Sequence, residues 1–295
     1  MARTMTMQWS EIIKGRNGRI VEVGQDGIAM ERGFRGVESQ ESERRWRERL
    51  ASPFLGTAEE AVREANRFHS RGVMQRRARG VLGQLVRSSS SPDPVLVDLG
   101  SGFGWQWVGL AREFGQIRFV LVDFVMTNLL VSRMLLPFRE YPNVLCLHAD
   151  IADLPLDDHL ADGCWSVQAF QHLPPERRLS GLEEVKRILK PGAQCHLTWV
   201  RSVPAARFMH RLFGRSYHQH GMAVSGMHFY RFDERIEAEL RDTFRDIRLA
   251  YSETLFHPDL HVAGSGTIVS LLDRWLASSR LAPVLARQIE IQGTA

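Results

Sequence analysis

Residues 95–111 read VLVDLGSGFGWQWVGLA, a short apolar segment followed by glycines at positions 100, 102 and 104 and then by an amphipathic segment. The apolar part predicts a buried strand, and the part after the glycines predicts a helix. Glycines at such a junction allow a sharp turn and a close approach to a ligand, because no Cβ stands in the way. The stretch therefore favours one of two interpretations: a plain tight turn, or a nucleotide-containing ligand across the carboxyl end of the strand.

The segments after residue 92 alternate between strand-like and helix-like patterns. Five near-continuous apolar segments read as strands, namely VLVDLG, IRFVLVD, NVLCLHAD, DGCWSVQAF and QCHLTWV. The helix-like segments include WQWVGLAREF, MTNLLVSRMLLPF and RLSGLEEVKRILK. Buried strands that alternate with helices predict a mostly parallel sheet covered on both faces. We therefore expect a doubly wound α/β domain over residues 92–295.

The part of the chain before this domain divides into two segments. Residues 1–56 form an N-terminal extension, in which RIVEVG and GIAMERG flank QDG and could form a hairpin, because Asp-Gly supplies the positive φ angles of a tight turn. Residues 57–91 predict a helical cap that begins at TAEEAVREANRF and ends in the linker SSSSPDP.

Composition narrows the class of protein. The chain is 44% hydrophobic and 24% charged, and its net charge of +4 comes from scattered arginines, which makes nucleic acid an unfavoured partner. Cys146, Cys164 and Cys195 include no CxxC pair, so we expect neither a disulfide framework nor a zinc site. No segment has the roughly 20 apolar residues of a membrane span, and the N-terminus does not read as a signal peptide. These features predict a cytoplasmic protein.

The glycine pattern excludes two common phosphate-binding motifs. A dinucleotide fingerprint requires G-x-G-x-x-G, but residue 105 is tryptophan, and no Gly-Lys-Ser/Thr of a Walker loop follows. What remains is Asp98, two residues before the first of three alternating glycines. This pattern resembles motif I of class I S-adenosylmethionine-dependent methyltransferases, in which E/DxGxGxG ends the first strand.

The resemblance continues in the same order along residues 92–200. FVLVD ends in Asp123, LHADIADLPL resembles the family's xxDAxxLPF segment, and ADGCWSVQAFQHLPP resembles its FDxVxSxxxLEHLxD segment. LEEVKRILKPGAQCHLTWV resembles LxExxRVLKPGGxLxIxxP, with PGA in place of PGG. The resemblance implies a Rossmann-like sheet of seven strands, the last one (ARQIEIQG) antiparallel, and S-adenosyl-L-methionine as the cofactor.

The resemblance also implies which residues bind the cofactor. Asp98 would orient its amino-acid part through the loop amides or a water, Asp123 would hold the ribose hydroxyls, and Asp150 would accept the adenine amino group. Carboxylates suit these positions because hydroxyl and amino groups are donors. The remaining implied cofactor residues lie in the glycine loop, beside the adenosine and at the exit of the fourth strand: Gly100, Gly102, Gly104, Phe124, Ile151 and Gln168.

The acceptor side is marked by histidines. His172 follows the fourth strand, where the family's histidine more often anchors the loop than takes a proton. Residues 201–231 predict an acceptor lid and contain His218 and His220, two further candidates for a general base. A base is needed only if the acceptor is protonated at working pH. No convincing carboxylate accompanies the His-x-His spacing, so we expect no metal.

We therefore expect an enzyme that transfers a methyl group to a small-molecule acceptor, with oxygen favoured over nitrogen or carbon. An apolar acceptor and peripheral contact with a membrane remain open. One alternative is an RNA or protein acceptor, which would predict a basic surface formed by Arg76, Arg77 and Arg79 with the lid. The other is a catalytically silent subunit that binds the cofactor without turnover. The sequence leaves the oligomeric state open.

Overall fold

The computed structural model describes residues 9, 19, 21–24, 27–32, 34, 71–201, 203, 230–252, 254 and 266–295. Within this part the strands are β1 (Val21–Val23), β2 (Ile28–Glu31), β3 (Val95–Leu99), β4 (Arg118–Asp123), β5 (Val144–His148), β6 (Ala161–Val167), β7 (Leu189–Val200), β8 (Arg245–Ser252) and β9 (Gln288–Thr294). The helices are α1 (Arg71–Ser88), α2 (Leu110–Glu113), α3 (Met126–Leu135), α4 (Pro175–Ile188), α5 (Glu234–Thr243), α6 (Gly266–Ala277) and α7 (Ala282–Leu285).

The strands form one mixed sheet in the order β1-β2-β5-β4-β3-β6-β7-β9-β8. Strands β5, β4, β3, β6 and β7 run parallel, and β9 is antiparallel to both β7 and β8. This arrangement confirms the predicted doubly wound α/β fold with a final antiparallel strand. The prediction of seven strands is corrected, since the described sheet has nine.

The sheet is buried on both faces, which explains the near-continuous apolar strands. Along β3, Val97 joins the core under α4, whereas its neighbour Leu96 joins the core under α1. Successive side chains of a strand point to opposite faces, so a strand covered on both sides needs apolar residues throughout. Helix α5 packs on the α4 face and α3 on the α1 face.

The two additional strands are the N-terminal hairpin. Strand β1 pairs antiparallel with β2 across a turn in which Gly27 has φ 77°, as the Asp-Gly pattern predicts. Strand β2 then pairs parallel with β5, at the edge of the sheet. The hairpin therefore extends the sheet of the main domain instead of folding apart from it.

One predicted helix differs from the structure. WQWVGLAREF forms a 3-10 turn at Trp105–Trp107 and the short α2, because Gly109 with φ 84° lies between them. The first part of the predicted helical cap, residues 57–70, lies outside the described residues. No helix in the described part of the chain has the length and apolar character to cross a membrane.

The carboxyl ends of the parallel strands face the same edge of the sheet. Helices α6 and α7 stand at this edge as well, because they connect the end of β8 to the start of β9, and Gln288 pairs there with Ser252 and Val200. The loops after β3, β4, β5 and β6 and the α6–α7 insertion therefore share one side of the molecule.

Candidate cofactor site

The glycine loop after β3 folds over the end of β4. The amides of Gly100 and Ser101 donate to the carbonyl oxygen of Val122, at 2.8 and 3.0 Å. Gly100 has φ 68°, and a Cβ built on it would lie 2.2 Å from the Cβ of Ala169. Both the backbone conformation and this contact therefore exclude a side chain at position 100. Gly102 has φ 56°, but a Cβ there would meet no atom within 4 Å. Open space above a glycine in a loop of this kind is where a ligand can approach the backbone.

Asp98 lies beneath this loop and is almost fully buried. Its Oδ2 accepts hydrogen bonds from Gln106 Nε2 and Trp107 Nε1, both at 2.7 Å, whereas the resemblance implies a role through the loop amides or a water. Its buried Oδ1 has no hydrogen-bond partner within the described part of the chain. Burial raises the pKa of Asp98 to about 7, against the lowering effect of the two hydrogen bonds. A cationic group beside Oδ1 would stabilise the ionised form.

Asp123, at the end of β4, connects the glycine loop to α3. Its Oδ2 accepts from the amide of Gly102 at 2.8 Å, and its Oδ1 accepts from the amide of Val125 at 2.8 Å and from Asn128 Nδ2 at 3.1 Å. These bonds fix the orientation of the carboxylate at the edge of the sheet. Gly104, further along the loop, donates its amide to Ser101 O at 3.0 Å and begins the 3-10 turn.

Asp150 follows β5 and forms the first residue of a tight turn. Its Oδ1 accepts from the amide of Ala152 at 2.9 Å, and its Oδ2 forms an ion pair with Arg177 of α4. Ile151 is buried beside the glycine loop, since a Cβ on Gly100 would lie 3.7 Å from its Cδ1. Phe124 is half-buried, and its carbonyl oxygen lies 3.1 Å from Nε2 of His148.

The exit of β6 has a special backbone. Gln168 has φ 56°, a left-handed conformation that is uncommon for residues other than glycine and often marks functional sites. Its amide donates to Thr198 O at 3.1 Å. Ala169 then brings the chain against Gly100, so the glycine loop and the exit of β6 are in direct contact.

His172 ends the 3-10 turn that follows this exit. The neighbouring Gln171 accepts from the amide of Val200 through Oε1 at 3.2 Å, which directs its Nε2 towards His172 Nε2 at 3.4 Å. The carbonyl of Gln171 accepts from the amide of Tyr230 at 2.7 Å, so the chain returns to His172 where the predicted lid ends. His218 and His220, with most of residues 201–231, lie outside the described residues.

The structure adds three polar residues that the sequence did not single out. Gln106 and Trp107 contact Asp98, and Arg177 contacts Asp150. The role of Trp107 was predictable in principle, because the N–H of a buried indole requires a hydrogen-bond acceptor. The role of Arg177 was not predictable, since arginine at the start of an amphipathic helix usually faces water. Among the described residues, no group of three or more His, Cys, Asp or Glu could hold a metal ion.

The arrangement fits S-adenosylmethionine. Asp150, Asp123 and Asp98 lie at the ends of the adjacent strands β5, β4 and β3, in the order in which the cofactor carries adenine, ribose and amino acid. The unpartnered Oδ1 of Asp98 suits an ammonium group, and the open space at Gly102 suits a ligand that crosses the loop. These are the residues that would hold the cofactor.

Comparisons with known proteins agree with this geometry. A family model described as a methyltransferase domain matches residues 97–197. No curated protein matches the chain. A chain from the complex of the Haloferax volcanii Trm112 methyltransferase activator with a methyltransferase aligns at TM-score 0.52 and 18% identity, over 82% of this chain and 97% of that one.

Two further solved structures share the fold. A SAM-dependent methyltransferase from Archaeoglobus fulgidus aligns at TM-score 0.52 and 16% identity, over 78% of this chain and 97% of that one. Phosphoethanolamine N-methyltransferase 2 of Haemonchus contortus, in complex with S-adenosyl-L-methionine, aligns at TM-score 0.50 and 17% identity, over 73% of this chain and 52% of that one. Residues 97–197 thus match the methyltransferase-domain model, and the described part of the chain shares its fold with S-adenosylmethionine-dependent methyltransferases.

Proposed function

We propose that the enzyme methylates a small, largely apolar acceptor, with a hydroxyl oxygen as the favoured acceptor atom and nitrogen or carbon next. When bound, S-adenosylmethionine supplies an electrophilic methyl group on a sulfonium that leaves readily. The work left to the chain is to orient the two reactants at about 3–3.5 Å and to exclude water.

The observation that carries this proposal is the surface beyond the methyl end of the site. With adenine at β5 and the amino acid at β3, the acceptor would enter beyond β6, on the side of the sheet where α6 and α7 contact β8. Trp275 on α6 is 66% exposed. The other large exposed apolar residues of this insertion are Leu271, Leu272, Leu281 and Val284. Apolar patches at a site usually mark a binding surface for an apolar partner.

Residues at the exit of β6 would orient the reaction. Gln168 would line the methionine part of the cofactor, as the family resemblance implies for the exit of the fourth strand. His172 is the described candidate for a base: its neutral imidazole would take the proton of an acceptor hydroxyl as the new oxygen–carbon bond forms. Gln171 would hold the ring in place. His218 and His220 remain candidates for the same role.

A macromolecular acceptor is disfavoured by the arginines of α1. Arg77 forms an ion pair with Glu290 at 2.8 Å, and Arg79 forms one with Glu113 at 2.6 Å. Two of the three arginines expected to form a basic surface are therefore neutralised by neighbouring carboxylates. Nucleic-acid binding relies on cations that are available to phosphates. Arg280, exposed beside the apolar face, is compatible with peripheral contact to an anionic membrane.

The test combines methyl-labelled S-adenosylmethionine, the purified protein and a cell extract. Label in small organic compounds supports the proposal, label in RNA or protein supports the macromolecular alternative, and no label supports a silent cofactor-binding subunit. A Trp275→Ser variant should lose labelling of the small compounds and keep its affinity for S-adenosylhomocysteine. The matched control is Val86→Ser, an exposed apolar residue at the end of α1, on the opposite edge of the sheet. Equal losses in both variants would contradict an acceptor role for the α6–α7 face.

A further inference from the structure

We propose that the N-terminal hairpin β1–β2 is a functional part of the cofactor site, in which Arg19 is a positioning residue for the adenine turn, residues 150–153. The hairpin lies outside the segment that matches the family model. The inference rests on the proposed role of Asp150 as acceptor for the adenine amino group, which it deepens by naming what holds that carboxylate in place.

The adenine turn sets the direction of the Asp150 carboxylate through its own backbone. The amide of Asp153 donates to Asp150 O at 3.1 Å, and the amide of Ala152 donates to Asp150 Oδ1 at 2.9 Å. Both bonds depend on the turn keeping its shape. A displacement of Asp153 would therefore reorient the carboxylate that faces the adenine.

Arg19 joins this turn to the hairpin. Its Nε and Nη2 donate to the two carboxylate oxygens of Glu31 on β2 at 2.7 and 2.5 Å, and its Nη1 donates to Asp153 Oδ1 at 2.7 Å. The side chains of Arg19 and Glu31 are about four-fifths buried, at 21% and 20% exposure. A planar guanidinium held bidentately on one carboxylate has few ways to move, so its third contact is made in a fixed place.

The hairpin itself is anchored on the strand that leads into the turn. Strand β2 pairs parallel with β5 in a register that places Met30 beside His148, and Met30 Sδ lies 3.3 Å from His148 Nδ1. The ring of Phe34 meets His148 edge-on, with centroids 5.0 Å apart. Arg133 of α3 donates through Nε to Gly27 O at 3.1 Å. The hairpin therefore covers the open edge of the sheet and gives Arg19 a rigid base.

The opposite side of the turn is held by α4. Arg177 forms the ion pair with Asp150, and Glu184 accepts from the amide of Leu154 at 2.8 Å. Two arginines from different elements thus hold the two aspartates of one turn, Arg177 from α4 and Arg19 from the hairpin. Removal of Arg19 leaves the turn supported from one side.

The test uses discrimination between two ligands, because general loss of stability would weaken both equally. We would measure dissociation constants of the purified full chain for S-adenosylhomocysteine and S-inosylhomocysteine, in which a carbonyl oxygen replaces the amino group. Wild type should prefer the adenine form. Arg19→Ala should lower this preference by up to about fivefold, the upper end for an ion pair whose carboxylate, that of Asp153, is 69% exposed. Arg19→Lys should restore part of it, since lysine keeps a single contact but not the planar fork.

The control is Arg32→Ala, which removes an arginine of the same hairpin that pairs with Glu22 in solvent. It should keep the wild-type preference. Asp150→Ala separates the inference from its premise. If Asp150→Ala loses the preference and Arg19→Ala keeps it, the positioning role of Arg19 is wrong. If Asp150→Ala keeps the preference, the adenine role of Asp150 is wrong and the inference falls with it.

Discussion

The buried Asp98 predicts that cofactor binding depends on pH. In the cofactor-free protein the pKa of Asp98 is about 7, raised mainly by burial. An ammonium group beside Oδ1 would lower this pKa, by one to three pH units for a close opposite charge. Binding would therefore release the Asp98 proton at pH values between this lowered pKa and about 7. The affinity for S-adenosylhomocysteine should fall on the order of tenfold between pH 7 and pH 5.5.

Asp98→Asn removes the titrating group and keeps a side chain that can accept from Trp107. Its affinity should be weaker than that of wild type at pH 7 and should change less between pH 7 and 5.5. Comparison with this variant also subtracts the effect of other groups that titrate in this range. Calorimetry in two buffers of different ionisation enthalpy would count the released protons directly. The comparison stays below pH 7.5, so that the ligand's own amino group remains protonated throughout.

The same shift has a consequence for stability. Because the folded protein holds the Asp98 proton more tightly than the unfolded chain, the stability from this group is full below pH 4 and is lost as the pH rises towards 7. The difference between 3.8 and about 7 corresponds to at most roughly 4 kcal/mol. Cofactor-free Asp98→Asn should thus gain stability relative to wild type between pH 5 and 7.5 in thermal unfolding. Affinity and stability that change with pH in the same way in both proteins would refute the reasoning.

Three further predictions concern the remaining site residues. Asp123→Ala should weaken binding of S-adenosylhomocysteine by roughly 1.5–3 kcal/mol in calorimetry, because charged hydrogen bonds are lost; an unchanged dissociation constant would contradict the ribose role. Gly102→Ala and Gly192→Ala each add a Cβ to a residue with positive φ, 56° and 80°, where no atom lies within 4 Å of the new Cβ. Thermal unfolding should therefore show a similar loss of folding stability in both variants, about 1–2 kcal/mol. The affinity for S-adenosylhomocysteine should fall only in Gly102→Ala. If both variants bind this ligand equally well, the cofactor does not cross the loop at Gly102. His172→Ala and His220→Ala should be compared by turnover at saturating cofactor, where wild-type rates in both would exclude either histidine as the base.

The architecture was predictable from the sequence where the signal is local. Strand β4 reads RFVLVD and is buried in five of its six residues, so burial on both faces appears directly as an apolar run. Helix α4 begins with Pro175, which fits the first turn of a helix because it needs no amide hydrogen there. The QDG turn likewise predicted a hairpin. Each of these signals depends on residues that are close in sequence.

The pairing partner of the hairpin was not predictable in this way. Strand β2 could have paired with any open edge, and its parallel register with β5 joins residues more than a hundred positions apart. Arg19 and Asp153 are separated by 134 positions. No periodicity or spacing records such contacts. The additional strands and the support of the adenine turn therefore became visible only in the structure.

For the carboxylates of the site, too, the positions were predictable from the sequence and the contacts were not. Asp98, Asp123 and Asp150 were predicted as cofactor residues through the family resemblance, and each lies at or near the end of a strand. The partners of Asp98 were not, because WQWVGLAREF reads as a continuous amphipathic helix. Gly109 interrupts that helix at φ 84°, and the resulting 3-10 turn brings the indole of Trp107 onto Asp98. A single backbone angle thus decides which side chain stabilises the buried acid.

The residues that select the acceptor are expected to lie outside residues 97–197, the segment that matches the family model. The cofactor is common to these methyltransferases, so residues 97–197 that hold it carry little information about what is methylated. The exposed apolar residues of α6 and α7 lie outside that segment, on the side of the sheet where we propose that the acceptor enters, and Tyr230, near the end of the predicted lid, donates its amide to Gln171 O. If specificity resides there, exchange of residues 266–285 between related enzymes should transfer the acceptor preference and leave the affinity for S-adenosylhomocysteine unchanged. A chimera that changes cofactor affinity while keeping its acceptor would show that this division of roles is wrong.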